Sequence, residues 1–383
     1  MKTLLTAFLI FMTSNLYAAT VNFTGWETKD TSEALVSSGT LSVQQTTKRT
    51  GTSALQTNPT TTAVGFHRFG TYDAAATHGS ASIANNFARF YFRYATKPSA
   101  DTEPIMEGVS VTTTTICELR INSTGNLVLY DSALGTVFTG ATTLAADTWY
   151  RIEVKFTIGV PGDYEVLIDG VSESSGTYTS GVVNCTRIGL GKVNNRNGRT
   201  VDFFYDDFLW SDSALPGAGS CQVMQTSANG NYQTWTGTGD HWDDIVDMPT
   251  GPSALSSTNV DGDAETEGLE SASSAGVTGT VTSVKPFASF QANDTTYTLR
   301  LRFRSASTDS DSSSFTGGTL IRYAKIYDTD PATSSAWVLS ALDSIEAGAV
   351  EKSTTQIANM FSAGAMVDYI PAAASSRRKT VFL

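Results

Sequence analysis

Residues 149–210 constrain the fold of this 383-residue chain more than any other stretch. Ile152, Val154 and Phe156 alternate there with Arg151, Glu153 and Lys155, the period-two pattern of a half-buried strand. Tyr164, Val166 and Ile168 repeat it after the turn signal Pro161-Gly162-Asp163, and Asp169-Gly170 closes that strand tightly. Ile188 and Leu190 begin a third strand, and residues 203–210 form an apolar, aromatic fourth. Four strands at short spacing, with no helical period between them, predict an all-β antiparallel sandwich.

The same alternation runs through residues 88–94, where Phe90, Phe92 and Tyr94 face one way and Arg89, Tyr91 and Arg93 the other. Leu119 and Ile121 lead through a turn at residues 122–126 into a hairpin over residues 127–130. The alternation stops at SDSALPGAGS, residues 211–220, a composition that reads as a linker. Beyond it Tyr297, Leu299, Leu301 and Phe303 alternate with Thr298, Arg300, Arg302 and Arg304. Further strands are expected at residues 323–327 and 360–370, with one weak helix at 340–349. The expected organisation is a signal peptide (1–19), a jelly roll (20–213), a linker (214–221), a second β-sandwich (222–371) and a basic tail (372–383).

Charge and cysteine content narrow the function classes. The formal net charge is −12, which argues against nucleic acid as the main partner. Lys2 followed by the apolar residues 4–12 and Ala18-Ala19 reads as a secretory signal. The expected location is secreted or at the cell surface, with a virion as the alternative, and no membrane span is expected. Export permits disulfides. Of Cys117, Cys185 and Cys221, the expected pair is Cys185 with Cys221. The absence of CxxC makes a zinc site or a redox motif unexpected.

The strand Trp-Tyr-Arg-Ile-Glu-Val (149–154), the hairpin ending Ile168-Asp169-Gly170, and the closing Tyr-Asp-Asp-Phe-Leu-Trp strand (205–210) resemble the second half of a concanavalin A-like, laminin-G-like jelly roll. The resemblance covers roughly residues 22–213, and the second half resembles β-sandwich modules of phage and environmental-bacterial surface proteins. It implies the fold; lectins, polysaccharide-binding modules, glycanases, lyases and structural modules all share it.

Catalytic patterns are hard to assemble. The paired carboxylates of jelly-roll glucanases, Glu-x-Asp-x-x-Glu, are missing. The nearest run is 265–270, ETEGLE, which lacks the central Asp and reads as a solvated Gly/Ser-rich loop. Glu118-Leu119-Arg120 matches only the tail of the Arg-x-Glu-Leu-Arg strand of alginate-lyase-like jelly rolls. Calcium suits oxygen-rich loops, and the candidate ligands are Asp206, Asp207, Asp261 and Asp263, with a further acidic cluster at Asp240, Asp243, Asp244 and Asp247. The candidate glycan-binding residues are Arg89, Tyr91 and Arg93 on one strand and Arg300, Arg302 and Arg304 on another. Exposed aromatics stack on sugars and arginines grip acidic groups. The arginine row has a second reading, as cross-strand partners of the protein's own carboxylates. The expectation is a secreted, non-enzymatic recognition or adhesion protein that binds carbohydrate or a cell-surface glycan, with a structural calcium ion. A structural module of a virion or cell-surface assembly, and a lyase or hydrolase, are the alternatives.

Overall fold

A computed structural model describes residues 19–72, 78–79, 81–112, 114–178, 184–193, 198–245, 254–258, 260–292, 298–316, 320–352 and 357–372. The expected signal peptide, Asp247, Tyr297 and nearly all of the basic tail lie outside the described residues. The molecule is all-β, and every strand pairing among the described residues is antiparallel.

The first half is a sandwich of two sheets. Sheet I orders its strands Val171–Tyr178, Gly162–Ile168, Tyr150–Thr157, Asn85–Thr96, Asp202–Ser211, Ala54–Thr57 and Leu41–Gln44, with Thr20–Thr24 also on Asp202–Ser211. Sheet II orders Gly135–Thr143, Asn126–Asp131, Thr115–Asn122, Thr102–Val109, Arg187–Lys192, Gly65–Tyr72 and Val36–Gly39. The alternation in the sequence decides the packing. Phe90, Phe92, Ile152, Val154 and Phe156 from sheet I meet Leu119, Ile121, Leu129, Ile188 and Leu190 from sheet II in one core. Burying one such side chain stabilises by about 1.5–3 kcal/mol.

The second half curls one 10-stranded sheet around a separate core. The long strand Ser220–Gln233 makes this possible, pairing with Ala358–Ile370 at one end and Ala264–Leu269 at the other, with bulges between. Bulges bend a strand and raise its twist. The weak helix expected at 340–349 is a 3-10 turn, Leu339–Ser344, followed by the strand Ile345–Glu351. Small residues and one hydrophobic pair cannot hold an α-helix against a strand partner.

The halves meet across buried ion pairs rather than a slack tether. Arg89 pairs with Asp368, both about 1% exposed. Glu33 accepts from Lys285 at 2.8 Å and Arg322 at 3.1 Å. Burial alone would raise the Glu33 pKa, but these two cations overcome it and hold it at about 2. Segment 214–221 is pinned: Gly217 N–H donates to Glu153 and Cys221 N–H to Asp207.

The expected Cys185–Cys221 disulfide is not formed, and all three cysteines are buried free thiols. Cys117 and Cys185 lie in the first core, whereas Cys221 packs with Phe23, Leu209 and Met366 between the halves. Burial pushes the Cys185 thiol up to about 12 and the other two well above their ordinary value, so none is a ready nucleophile.

Candidate functional site

Two places gather polar chemistry that the apolar cores do not explain. The first is the outer face of sheet II. Antiparallel register puts Arg68, Gly189, Glu107, Glu118 and Tyr130 side by side on five adjacent strands. Arg68 Nε donates to Glu107 at 2.5 Å. Arg120, two residues along from Glu118, donates back to it at 2.6 Å and lays its guanidinium 3.5 Å from the Tyr130 ring centroid. Glycine at 189 is required by this row: a Cβ there would sit 2.8 Å from Glu107 Oε1 and 3.1 Å from Arg68 Cγ. Arg187, on the same face of the Gly189 strand, has a buried Nε with no partner among the described residues. Glu107, Glu118 and Arg120 are themselves buried, so the row reaches the surface through the half-buried Arg68, Arg187 and Tyr130, with the two carboxylates holding the guanidiniums from beneath. Guanidinium donors beside an aromatic ring are groups that hold a polyhydroxylated ligand.

The second place lies inside the second half. The run 265–270 is not a solvated loop, because the strand Ala264–Leu269 carries it and Glu265 and Glu267 are fully buried. Period two aims both carboxyls at the same side, opposite Ala349 and Ala347 of the neighbouring strand, whose small side chains leave room. Glu265 accepts from the Trp235 N–H at 2.9 Å and lies 2.7 Å from His241 Nδ1. Gln233 Nε2 is 3.5 Å from both Glu267 oxygens. His241 arrives on a short turn, His241–Asp244, that Asp244 locks by accepting from the Thr238 N–H and hydroxyl. Burial, reinforced by the neighbouring Glu265, raises the Glu267 pKa to about 9, so this acid holds a proton at neutral pH.

The sequence-based candidates fare unevenly. Arg89 and Tyr91 are buried, not exposed, Arg89 because the second half brings Asp368 onto it. Arg49 lies over the Tyr91 ring at 3.4 Å. Arg93 is half-buried and bonds Asp147 at 2.5 Å. Arg300, Arg302 and Arg304 do share one face, and their partners are Ser314, Asp311 and Asp309. Asp261 pairs with Lys352 and Asp263 with Thr258, in a loop apart from the buried glutamates. Asp206 and Asp207 are both buried although consecutive. A bulge, with Asp207 at φ +48, turns them to the same interior. Asp207 is taken up by Arg49, Thr50 and the Cys221 N–H. Asp206 faces Glu27, whose Oε1 is buried without a partner among the described residues.

Sequence reasoning missed Arg68, Glu107, Tyr130 and Arg187, and read Glu265 and Glu267 as loop. Parity along each strand marks their faces, but only cross-strand register aligns them.

No family model matches the chain, and no curated protein matches it. Solved structures share a partial likeness. A Trichoderma reesei endo-β-1,4-glucuronan lyase is 15% identical, with 48% of this chain and 95% of that one covered at a TM-score of 0.36. The cellulose-induced protein Cip1 is 12% identical over 47% and 88%, also at 0.36. Domain 4 of AbnA, an arabinanase from Geobacillus stearothermophilus, is 13% identical over 52% and 95%, at 0.36. Likenesses of this depth decide neither fold nor activity, which rest on the chain's own strands and side chains.

Proposed function

We propose that this is an exported or cell-surface carbohydrate-recognition protein that binds glycan on the outer face of sheet II. The row Arg68, Glu107, Glu118, Tyr130 with Arg120 carries the reading. Sugar hydroxyls accept from guanidinium edges and sugar rings pack on aromatic faces, which the half-buried Arg68 and Tyr130 supply while the buried Glu107 and Glu118 fix the guanidiniums. The ion pairs pre-order the side chains, which lowers the entropy cost of binding. The test measures retention of the full chain on neutral and acidic polysaccharides, with calcium and with chelator, and assays the same wells for released sugar. Retention lost in Arg120→Ala and Tyr130→Ala, without sugar release, supports recognition. Release would convert the reading to an enzyme, and no retention on any glycan would reject it.

Calcium has one reasonable home in this reading. Glu27 and Asp206 are buried acids whose pKa values burial raises, Glu27 to about 7. The partnerless Glu27 oxygen is the kind of donor a hard cation takes. Asp207 would balance charge through Arg49 rather than ligate. Calcium raising the unfolding temperature of the wild type but not of Glu27→Gln is the expected outcome.

A further inference from the structure

We propose that His241, Glu265 and Glu267 form a binding site for a divalent transition ion of the zinc class. Each offers one ligand atom, and the three atoms lie within 4.8 Å of one another. Two separate parts of the chain bring them together. The glutamates sit at i and i+2 on the strand Ala264–Leu269, and the histidine is delivered by the turn that follows Gly237. Glycine at 237 serves that delivery, since a Cβ there would lie 2.7 Å from the His241 ring.

Two fully buried carboxyls side by side require a counter-charge or a proton. Among the described residues neither Glu265 nor Glu267 pairs with a lysine or arginine, unlike the buried Asp207, which meets Arg49, and Glu33, which meets Lys285. A divalent ion replaces the proton and answers both carboxylates at once. One imidazole nitrogen with two carboxylate oxygens is a donor set for zinc and its neighbours, three protein ligands with a position left open. Calcium, with six to eight oxygens, suits it poorly. Outer contacts are in place as well: the Trp235 N–H fixes one Glu265 oxygen, and Gln233 stands beside Glu267. His241 keeps 15% of its side chain exposed, so an ion has a side from which to enter.

The test uses the full chain, stripped with chelator and titrated with cobalt(II) chloride, then with zinc chloride. One equivalent of cobalt should produce visible ligand-field absorption that zinc abolishes. His241→Ala should weaken cobalt binding at least ~10-fold, the scale on which even supporting residues of metal sites act. Glu267→Gln is the second variant, because its amide can keep the hydrogen bond to Glu265 while losing the anionic ligand. It should weaken binding similarly with an unchanged circular dichroism spectrum, whereas Asp163→Asn, at an exposed carboxylate beside Lys155, should bind cobalt normally. Absence of cobalt absorption in the wild type overturns the proposal. So does unchanged affinity in both His241→Ala and Glu267→Gln, which would put the ion elsewhere.

Discussion

Glu27, Asp206 and Asp207 in the first half, and Glu265 with Glu267 in the second, are fully buried carboxyls. Their surroundings differ in one respect. Asp207 lies against Arg49 and Arg89, and Arg89 in turn reaches Asp368 across the junction. The first cluster is thereby tied into the joint between the halves. The pair in the second half has a half-buried histidine and an amide but no arginine or lysine partner among the described residues. The comparison teaches that burial of acids does not define a role by itself. The counter-charge supplied by the rest of the fold separates a structural joint from a place open to a cation.

The sharpest way to break the comparison is Asp368→Ala, which takes from the buried Arg89 the carboxylate it is paired with. It should cost about 3–5 kcal/mol in denaturant unfolding; a cost below ~1 kcal/mol would remove the joint from the account. Next comes acid. The Glu33 pKa is lowered from 4.5 to about 2, so its stabilisation is present above about pH 4.5 and lost as pH falls toward 2. The shift corresponds to about 3 kcal/mol, and Glu33→Gln should flatten that acid limb of the stability profile.

Glu267 titrates with the opposite sign. Its pKa is raised to about 9, so its contribution is fully favourable below about pH 4.5 and is lost as pH rises toward 9. In chelator at pH 8, Glu267→Gln should therefore stabilise the fold, by about 2 kcal/mol after discounting for its coupling to Glu265. A destabilised variant would mean that the carboxyl itself supports the strand. Gly189→Ala should cost about 1 kcal/mol while displacing Glu107, and glycan retention should drop more than stability does. The smallest effect belongs to Arg302→Ala, whose half-buried pair with Asp311 contributes under ~1 kcal/mol. Unchanged binding to acidic glycans in that variant removes the arginine row as a ligand surface.

The sequence by itself determined the all-β class. Alternation such as Ile152-Glu153-Val154-Lys155-Phe156 fits only a two-faced strand, because side-chain direction in a strand is a local property. It also determined that Arg300, Arg302 and Arg304 share a face, for the same reason. Tertiary structure decided everything that depended on which strand lies beside which. Arg89 and Tyr91 are on the polar side of their strand, as parity requires, yet Asp368 of the second half takes up Arg89 and Arg49 covers Tyr91. Glu265 and Glu267 sit in a run whose glycine and serine neighbours suggest a loop, and pairing with Ile345–Glu351 makes it an interior strand. Arg68, Glu107, Glu118 and Tyr130 are far apart in the chain and meet only through cross-strand register. Register is set by long-range packing and bulges, whose free energies are summed over the whole sheet and are not written in any one segment.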